Sequence, residues 1–164
     1  MALQQINVGD RIPLFTINDH EGMEIETEDL IGSPFVLYFY PQDDTPGCTK
    51  EACAFRDNME KFDASDTLVI GVSSDNSSSH NKFIDKHNLN FTLLCDEDLK
   101  LAHKFGAIKE NDENGRKTSS LLRSTYVVDS DGIVRWIERP VTVDGHVERV
   151  LKAVEQVIRE EANK

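Results

Sequence analysis

Three cysteines stand in this chain, Cys48, Cys53 and Cys95, and the setting of Cys48 is the one that suggests chemistry. Thr45, Pro46 and Gly47 lead directly into it. Thr45 or Gly47 can cap a helix, and Pro46 suits a first helical turn. From there Cys48, Ala52, Phe55, Met59 and Phe62 recur at spacings of four, three, four and three. That spacing predicts one apolar helix face reaching about Phe62. Cys48 is thereby expected in a first helical turn, where unpaired backbone N–H groups and the positive end of the helix dipole favour a thiolate over a thiol. The thiolate is the nucleophilic form of cysteine.

An apolar and aromatic run, Phe35 to Tyr40, precedes this helix and reads as a buried strand stopped by Pro41. Further buried strands are expected at Thr67–Ser73 and Phe91–Cys95. Helices are expected from His80 to His87 and around Leu99–Phe105, the latter closed by Gly106. Upstream, Ile12–Ile17 and Met23–Glu26 read as short strands, with a helical turn over Thr27–Gly32. Downstream, Ser124–Val128 and Ile133–Glu138 flank Asp129-Ser130-Asp131-Gly132, a strong hairpin signal. Val147, Val150, Leu151, Val154, Val157 and Ile158 then form the stripe of a last helix. Ala107–Ser120 is the least regular stretch, and Asn111–Lys117 is expected to be an exposed loop. The order β-α-β-α-β-α-β-β-α implies an α/β chain with a central mixed sheet and helices on both faces, a thioredoxin-like fold. One domain is expected over residues 1–164.

Composition narrows the function classes. A formal net charge of −12 repels nucleic acid and anionic membrane surfaces, so no nucleic-acid or membrane partner is expected. No apolar stretch approaches spanning length. Met1–Asn7 lacks the basic and long apolar regions of a signal peptide, which points to the cytoplasm. Three cysteines in a reducing compartment are poor material for a structural disulfide framework. Cys48 and Cys53 do not form a C-x-x-C pair, so a thioredoxin-type or zinc-ribbon signature is missing. His20, His80, His87, His103 and His146 show no zinc spacing and read as surface or packing residues. There is no G-x-G-x-x-G and no P-loop, and Asp129–Gly132 lacks the later ligands of an EF-hand. No cofactor and no metal are expected.

The run Tyr40-Pro41-Gln42-Asp43-Asp44-Thr45-Pro46-Gly47-Cys48-Thr49-Lys50-Glu51-Ala52-Cys53 resembles the active-site stretch of peroxiredoxins, with Pro41-x-x-x-Thr45-x-x-Cys48 as its core. It is most similar to the bacterioferritin comigratory protein or peroxiredoxin Q subgroup. The resemblance continues through Gly71-Val72-Ser73, Leu94-Cys95-Asp96-Glu97-Asp98, Arg123-Ser124-Thr125-Tyr126 and Gly145-His146-Val147, so it spans nearly the whole chain. It implies a thiol peroxidase that reduces hydrogen peroxide and organic hydroperoxides, serving antioxidant defence and redox homeostasis. By resemblance Cys48 attacks and becomes a sulfenic acid, Cys53 resolves it as an intramolecular disulfide, and thioredoxin or a similar dithiol protein recycles the pair. The resemblance also implies a monomer.

The chemistry suits these residues. Peroxide reduction needs a thiolate aligned with the O–O bond, and donors that hold both oxygens and stabilise charge on the leaving one. Thr45 can place its hydroxyl beside the sulfur, and the N–H groups of Gly47 and Cys48 can add donors. Pro41, by resemblance, shields the site and fixes the loop. Arg123 is the best candidate for a permanent positive charge near Cys48, and by resemblance it is the family's active-site arginine. Glu51, one turn beyond Cys48, either tunes the site or simply favours the helix N-terminus, and is not counted among the site residues. Cys95 reads as a buried or incidental thiol, with resolution its alternative role. A redox-regulated binding protein or chaperone on the same fold, and a disulfide reductase, are the competing functions. The intact motif argues against the first and the missing C-x-x-C against the second. Between Ala107 and Leu122 the chain is polar where the subgroup often carries an aromatic segment, which leaves peroxide preference open.

Overall fold

The computed structural model describes residues 5–163. Residues 1–4, which begin the Met1–Asn7 stretch, and residue 164 lie outside the described residues. At the centre is a five-stranded sheet built from β3 (Phe35–Phe39), β4 (Leu68–Ser73), β5 (Thr92–Cys95), β8 (Ser124–Val128) and β9 (Val134–Glu138), in the order β5-β4-β3-β8-β9. β3, β4 and β5 run parallel, and β8 and β9 add antiparallel on the other side. The sheet is therefore mixed, as the element order implies.

All five residues of β3 are buried, and their alternation divides the core between two layers. Phe35, Leu37 and Phe39 join Tyr126, Val128 and the apolar face of α5 (Lys100–Phe105) on one side. Val36, Tyr38 and Tyr40 point the other way, against α2 (Pro46–Asp57), α3 (Met59–Ala64), α4 (Ser77–His87) and α6 (His146–Ala162). Opposite faces at period two are what a strand buried on both sides must present. The short strands β1 (Thr16–Asn18) and β2 (Glu24–Glu26) pair as a hairpin, with α1 (Thr27–Leu30) after them. The strand expected from Ile12 is shorter than the sequence suggests: among the described residues before Thr16 only an isolated bridge, Arg11 to Ile133, is formed.

Two other expectations are corrected. The helix after Cys48 does not run unbroken to Phe62. It ends at Asp57 and restarts at Met59, with Asn58 at φ −109° and ψ 7° between them. Asn58 closes the first piece with its own side chain, whose Nδ2 donates to the Ala54 carbonyl at 2.7 Å. Met59 and Phe62 stay buried all the same, so the apolar stripe survives the break. The polar stretch after Gly106 is not a loop but a second hairpin, β6 (Ile108–Glu113) with β7 (Arg116–Leu121). Its turn is Asn114-Gly115, both with positive φ (53° and 78°). This is the two-residue turn that Asn-Gly favours, because its twist matches the strands it joins. Only the hairpin's base, Ile108 and Leu121, is buried in the core.

Candidate active site

Cys48 lies in the first turn of α2 and is 1% exposed. Thr45 is the N-cap and Pro46 the first helical residue. The N–H of Thr49 bonds the Thr45 carbonyl at 2.8 Å, so the N–H groups of Gly47 and Cys48, two places and one place earlier, have no helical carbonyl a turn behind them. They are open donors in the same helical turn as the sulfur. The topology then supplies the charge. β8 lies antiparallel to β3, pairing Ser124 with Phe39. Arg123, just before β8, is thereby brought to the end of β3 from which the Cys48 loop departs. Its Nη2 donates to Cys48 Sγ at 3.3 Å and its Nη1 to Glu51 Oε1 at 2.8 Å. Gly47 leaves room for this: a Cβ there would sit 3.2 Å from Arg123 Nη2. Burial works against the guanidinium's charge, but Glu51 and Cys48 raise it above its ordinary value, so it stays a cation.

Glu51 belongs to this site, although the sequence reading set it aside. It is 1% exposed, and burial pushes its carboxyl up to about 7 even against the pull of Arg123. Its Oε2 lies 3.5 Å from His146 Nε2 and is one of two buried side-chain oxygens with no hydrogen-bond partner among the described residues, the other being the Tyr38 hydroxyl. His146 opens α6 and is fully enclosed. Its Nδ1 faces Glu138 Oε2 at 3.2 Å and its Nε2 faces Thr125 Oγ1 at 2.9 Å. Burial pushes this imidazole down to about 4. Glu138 is itself clamped by Arg149 through two bonds of 2.7 and 2.8 Å. The sequence did carry a signal: Glu51 follows Cys48 by three residues, on the stripe predicted to be buried, where an unexplained carboxylate is an anomaly.

The loop ahead of Cys48 is tied down by Asp43. Its carboxylate accepts from the Tyr40 hydroxyl at 2.6 Å and the Ser79 hydroxyl at 2.8 Å, and lies 2.7 Å from His80 Nδ1. His80 Nε2 in turn faces the Leu94 carbonyl at 2.8 Å. The Asp43 N–H donates to Asp75 at 2.7 Å. The loop is thus clamped to α4 and β5. Asp43, Asp75 and His80 bring ligand-type atoms within 4.8 Å of one another, but these atoms are engaged in the clamp. Within the loop Pro41 is exposed, and Thr45 is half-buried with its hydroxyl donating to the Gln42 carbonyl at 3.1 Å.

Cys53 is half-buried in the same continuous helix as Cys48. Five residues of α-helix separate two Cα atoms by roughly 8–9 Å and turn their side chains about 140° apart. Cys95 ends β5, its Sγ donating weakly to the Asp19 carbonyl at 3.7 Å. Burial, with Glu97 and Asp19, pushes its thiol up to about 11, which keeps it protonated and a poor nucleophile. The structure therefore unites Cys48, Arg123 and the loop of Pro41 and Thr45, adds Glu51 and His146, and leaves Cys53 turned away from Cys48.

A thiol at a helix N-terminus, bonded by a half-buried arginine at the end of a mixed sheet, is the geometry against which the comparisons are set. Residues 8–137 match the AhpC/TSA family. The chain belongs to that family. It is 40% identical over 146 residues to a putative peroxiredoxin bcp of Coxiella burnetii, covering 89% of this chain and 97% of that one. It is also 40% identical over 154 residues to peroxiredoxin Bcp of Bacillus subtilis, covering 93% and 97%. Among solved structures, the bacterioferritin comigratory protein of Xanthomonas campestris, studied for alkyl peroxide reduction, superposes with a TM-score of 0.85 at 31% identity, over 91% of this chain and 99% of that one. The subgroup is that of bacterioferritin comigratory protein and peroxiredoxin Q, as the motif implies, and the peroxiredoxin is a thiol peroxidase. No helix among the described residues is long and apolar enough to cross a membrane.

Proposed function

We propose that this peroxiredoxin reduces hydrogen peroxide and organic hydroperoxides through Cys48, resolves the product through Cys53, and is recycled by thioredoxin or a similar dithiol protein. The observation that carries the reading is the Arg123 guanidinium 3.3 Å from Cys48 Sγ, at a helix N-terminus with free N–H groups. Together these set a cation and free donors at the sulfur and leave donors for a developing oxyanion. The Thr45 hydroxyl spends its hydrogen on Gln42, so it offers lone pairs to the O–H of an incoming peroxide and orients it. Pro41 walls the loop on the solvent side. Attack converts Cys48 to a sulfenic acid and releases water or an alcohol. Cys53 then displaces the sulfenic hydroxyl, giving a disulfide and water. A dithiol protein reduces that disulfide by exchange.

Peroxide consumption with a thioredoxin system tests the scheme. Wild type should turn over and Cys48→Ser should not, since a hydroxyl is not ionised near neutral pH. Cys53→Ser should consume about one peroxide per chain and then stall. Substantial turnover by Cys48→Ser overturns the nucleophile assignment. Sustained turnover by Cys53→Ser, with Cys95 found in the disulfide, moves resolution to Cys95.

A further inference from the structure

One guanidinium serves two acids in this site. Arg123 reaches Cys48 Sγ with one nitrogen and Glu51 Oε1 with another, at 3.3 and 2.8 Å. Neighbouring cations are spent elsewhere: Arg149 holds Glu138, and exposed Lys50 pairs with Asp144. If Cys48 and Glu51 were both ionised, two buried negative charges would share one positive charge. The other half of Glu51 would fare worse. Its Oε2 is buried without a donor, 3.5 Å from His146 Nε2. The state of that nitrogen follows from its surroundings. Glu138 is kept ionised by its two bonds from Arg149, so His146 Nδ1, 3.2 Å away, carries the hydrogen. Nε2 is then a lone pair, accepting from the Thr125 hydroxyl at 2.9 Å. An ionised Glu51 would set a bare oxygen against a bare nitrogen, and a buried charge without a donor is costly. A proton on Oε2 removes that unpaired charge and turns an O–H toward the Nε2 lone pair, which it shares with the Thr125 hydroxyl.

We propose that the buried Glu51–His146 pair holds one proton while Cys48 is a thiolate and gives it up when the sulfur is oxidised. The inference rests on the peroxidase reading above. In the step, the Cys48 thiolate forms a bond to the terminal oxygen of ROOH and the O–O bond breaks. Sulfur loses two electrons, the peroxide gains them, and RO⁻ takes a proton to leave as ROH. Negative charge has then left the sulfur, and Arg123 is matched by Glu51 alone. The carboxyl ionises, so the pair loses one proton as the leaving oxygen gains one. Reactants and products carry the same charge inside the buried site. Every charged or titratable group facing Glu51 enters this balance: Arg123 at the start of β8, Tyr38 from β3, Cys48 on its own helix, His146 and Arg149 from α6, and Glu138 from β9. Glu51's upward displacement to about 7, caused first by burial, places the release close to neutral pH. His146 acts here as a positioning residue, holding the proton's far side.

The test uses the Cys53→Ser protein, in which oxidation stops at the sulfenic acid with α2 still wound and Glu51 still enclosed. Reduced and peroxide-treated samples are compared by infrared difference spectroscopy slightly above neutral pH, with sulfenic acid verified by mass in the same sample. Oxidation should remove the carbonyl stretch of a neutral carboxylic acid and add carboxylate bands. A pH-indicator dye in weak buffer should show up to about one more proton released per sulfur oxidised than in Cys53→Ser with Glu51→Gln, whatever the starting state of the thiol. The carbonyl signal should vanish in that double variant. With His146→Gln it should move in frequency, because Glu51 keeps its proton but changes its acceptor; this readout stands even if Glu51→Gln folds poorly. Sulfenic acid formed with no change in the carbonyl region overturns the proposal and leaves the peroxidase reading intact. No sulfenic acid at all overturns both.

Discussion

Glu51→Gln and His146→Gln should each uncover a pH dependence of stability that the other residue cancels in the parent. Glu51 sits at about 7 in the folded chain against an ordinary 4.5. Between those values the native chain keeps a proton that the unfolded chain gives up, so this residue's contribution falls as pH rises from about 4.5 to 7. His146 sits at about 4 against an ordinary 6.5. There the unfolded chain binds the extra proton, so its contribution rises with pH from about 4 to 6.5. At about 1.36 kcal/mol per pH unit, each span is worth about 3 kcal/mol. In the parent the two nearly offset over the shared window, because unfolding moves a proton from a carboxyl to an imidazole. Relative to the parent, Glu51→Gln should gain about 3 kcal/mol of stability as pH rises from 4.5 to 7, and His146→Gln should lose about 3 kcal/mol from pH 4 to 6.5. Urea unfolding of the reduced proteins, followed by the fluorescence of Trp136 at fixed ionic strength, gives the difference curves. Difference curves flat across both windows would show that neither group's protonation differs between the folded and unfolded chains, and the reasoning fails.

Three further outcomes follow from the site. Arg123→Ala removes a charge-assisted hydrogen bond worth about 1.5–3 kcal/mol. It should slow peroxide reduction by about one to two orders of magnitude, read as the rate constant for peroxide consumption. An unchanged rate would place Arg123 outside the chemistry. A disulfide needs Cα atoms within about 7 Å and facing side chains, which Cys48 and Cys53 do not have in one helix. Disulfide formation should therefore unwind the segment from about Cys48 to Arg56, drawing Phe55 from its stack on Tyr38 at 4.6 Å while β3 persists. Hydrogen exchange of the reduced and disulfide forms should show the faster exchange there, and equal protection with the Cys48–Cys53 bond verified would refute it. Asp43→Asn weakens the clamp from the loop to His80 and Ser79. It should raise KM for peroxide and speed exchange in residues 41–47, whereas unchanged loop exchange would mean that the clamp does not hold the loop.

What the sequence determined by itself is what neighbours along the chain can encode. Phe35–Phe39 read as a buried strand, and Thr45-Pro46-Gly47-Cys48 as a helix start with a thiol in its first turn, because strand and helix signals are local patterns. Asn114-Gly115 reads only as part of an exposed loop. The hairpin went unseen because its strands are polar at nearly every position, so no alternation of apolar residues marks them. The break at Asn58 was hidden for the opposite reason: the stripe of buried residues continues across it. Tertiary structure alone decided which charges meet. Arg123 and Cys48 are 75 residues apart and touch because β8 packs antiparallel on β3. His146 lies 95 positions from Glu51, and only the docking of α6 over the same face brings it within 3.5 Å. The states of those side chains depend on burial and on partners that arrive from other elements, and a residue's type and its near neighbours encode neither.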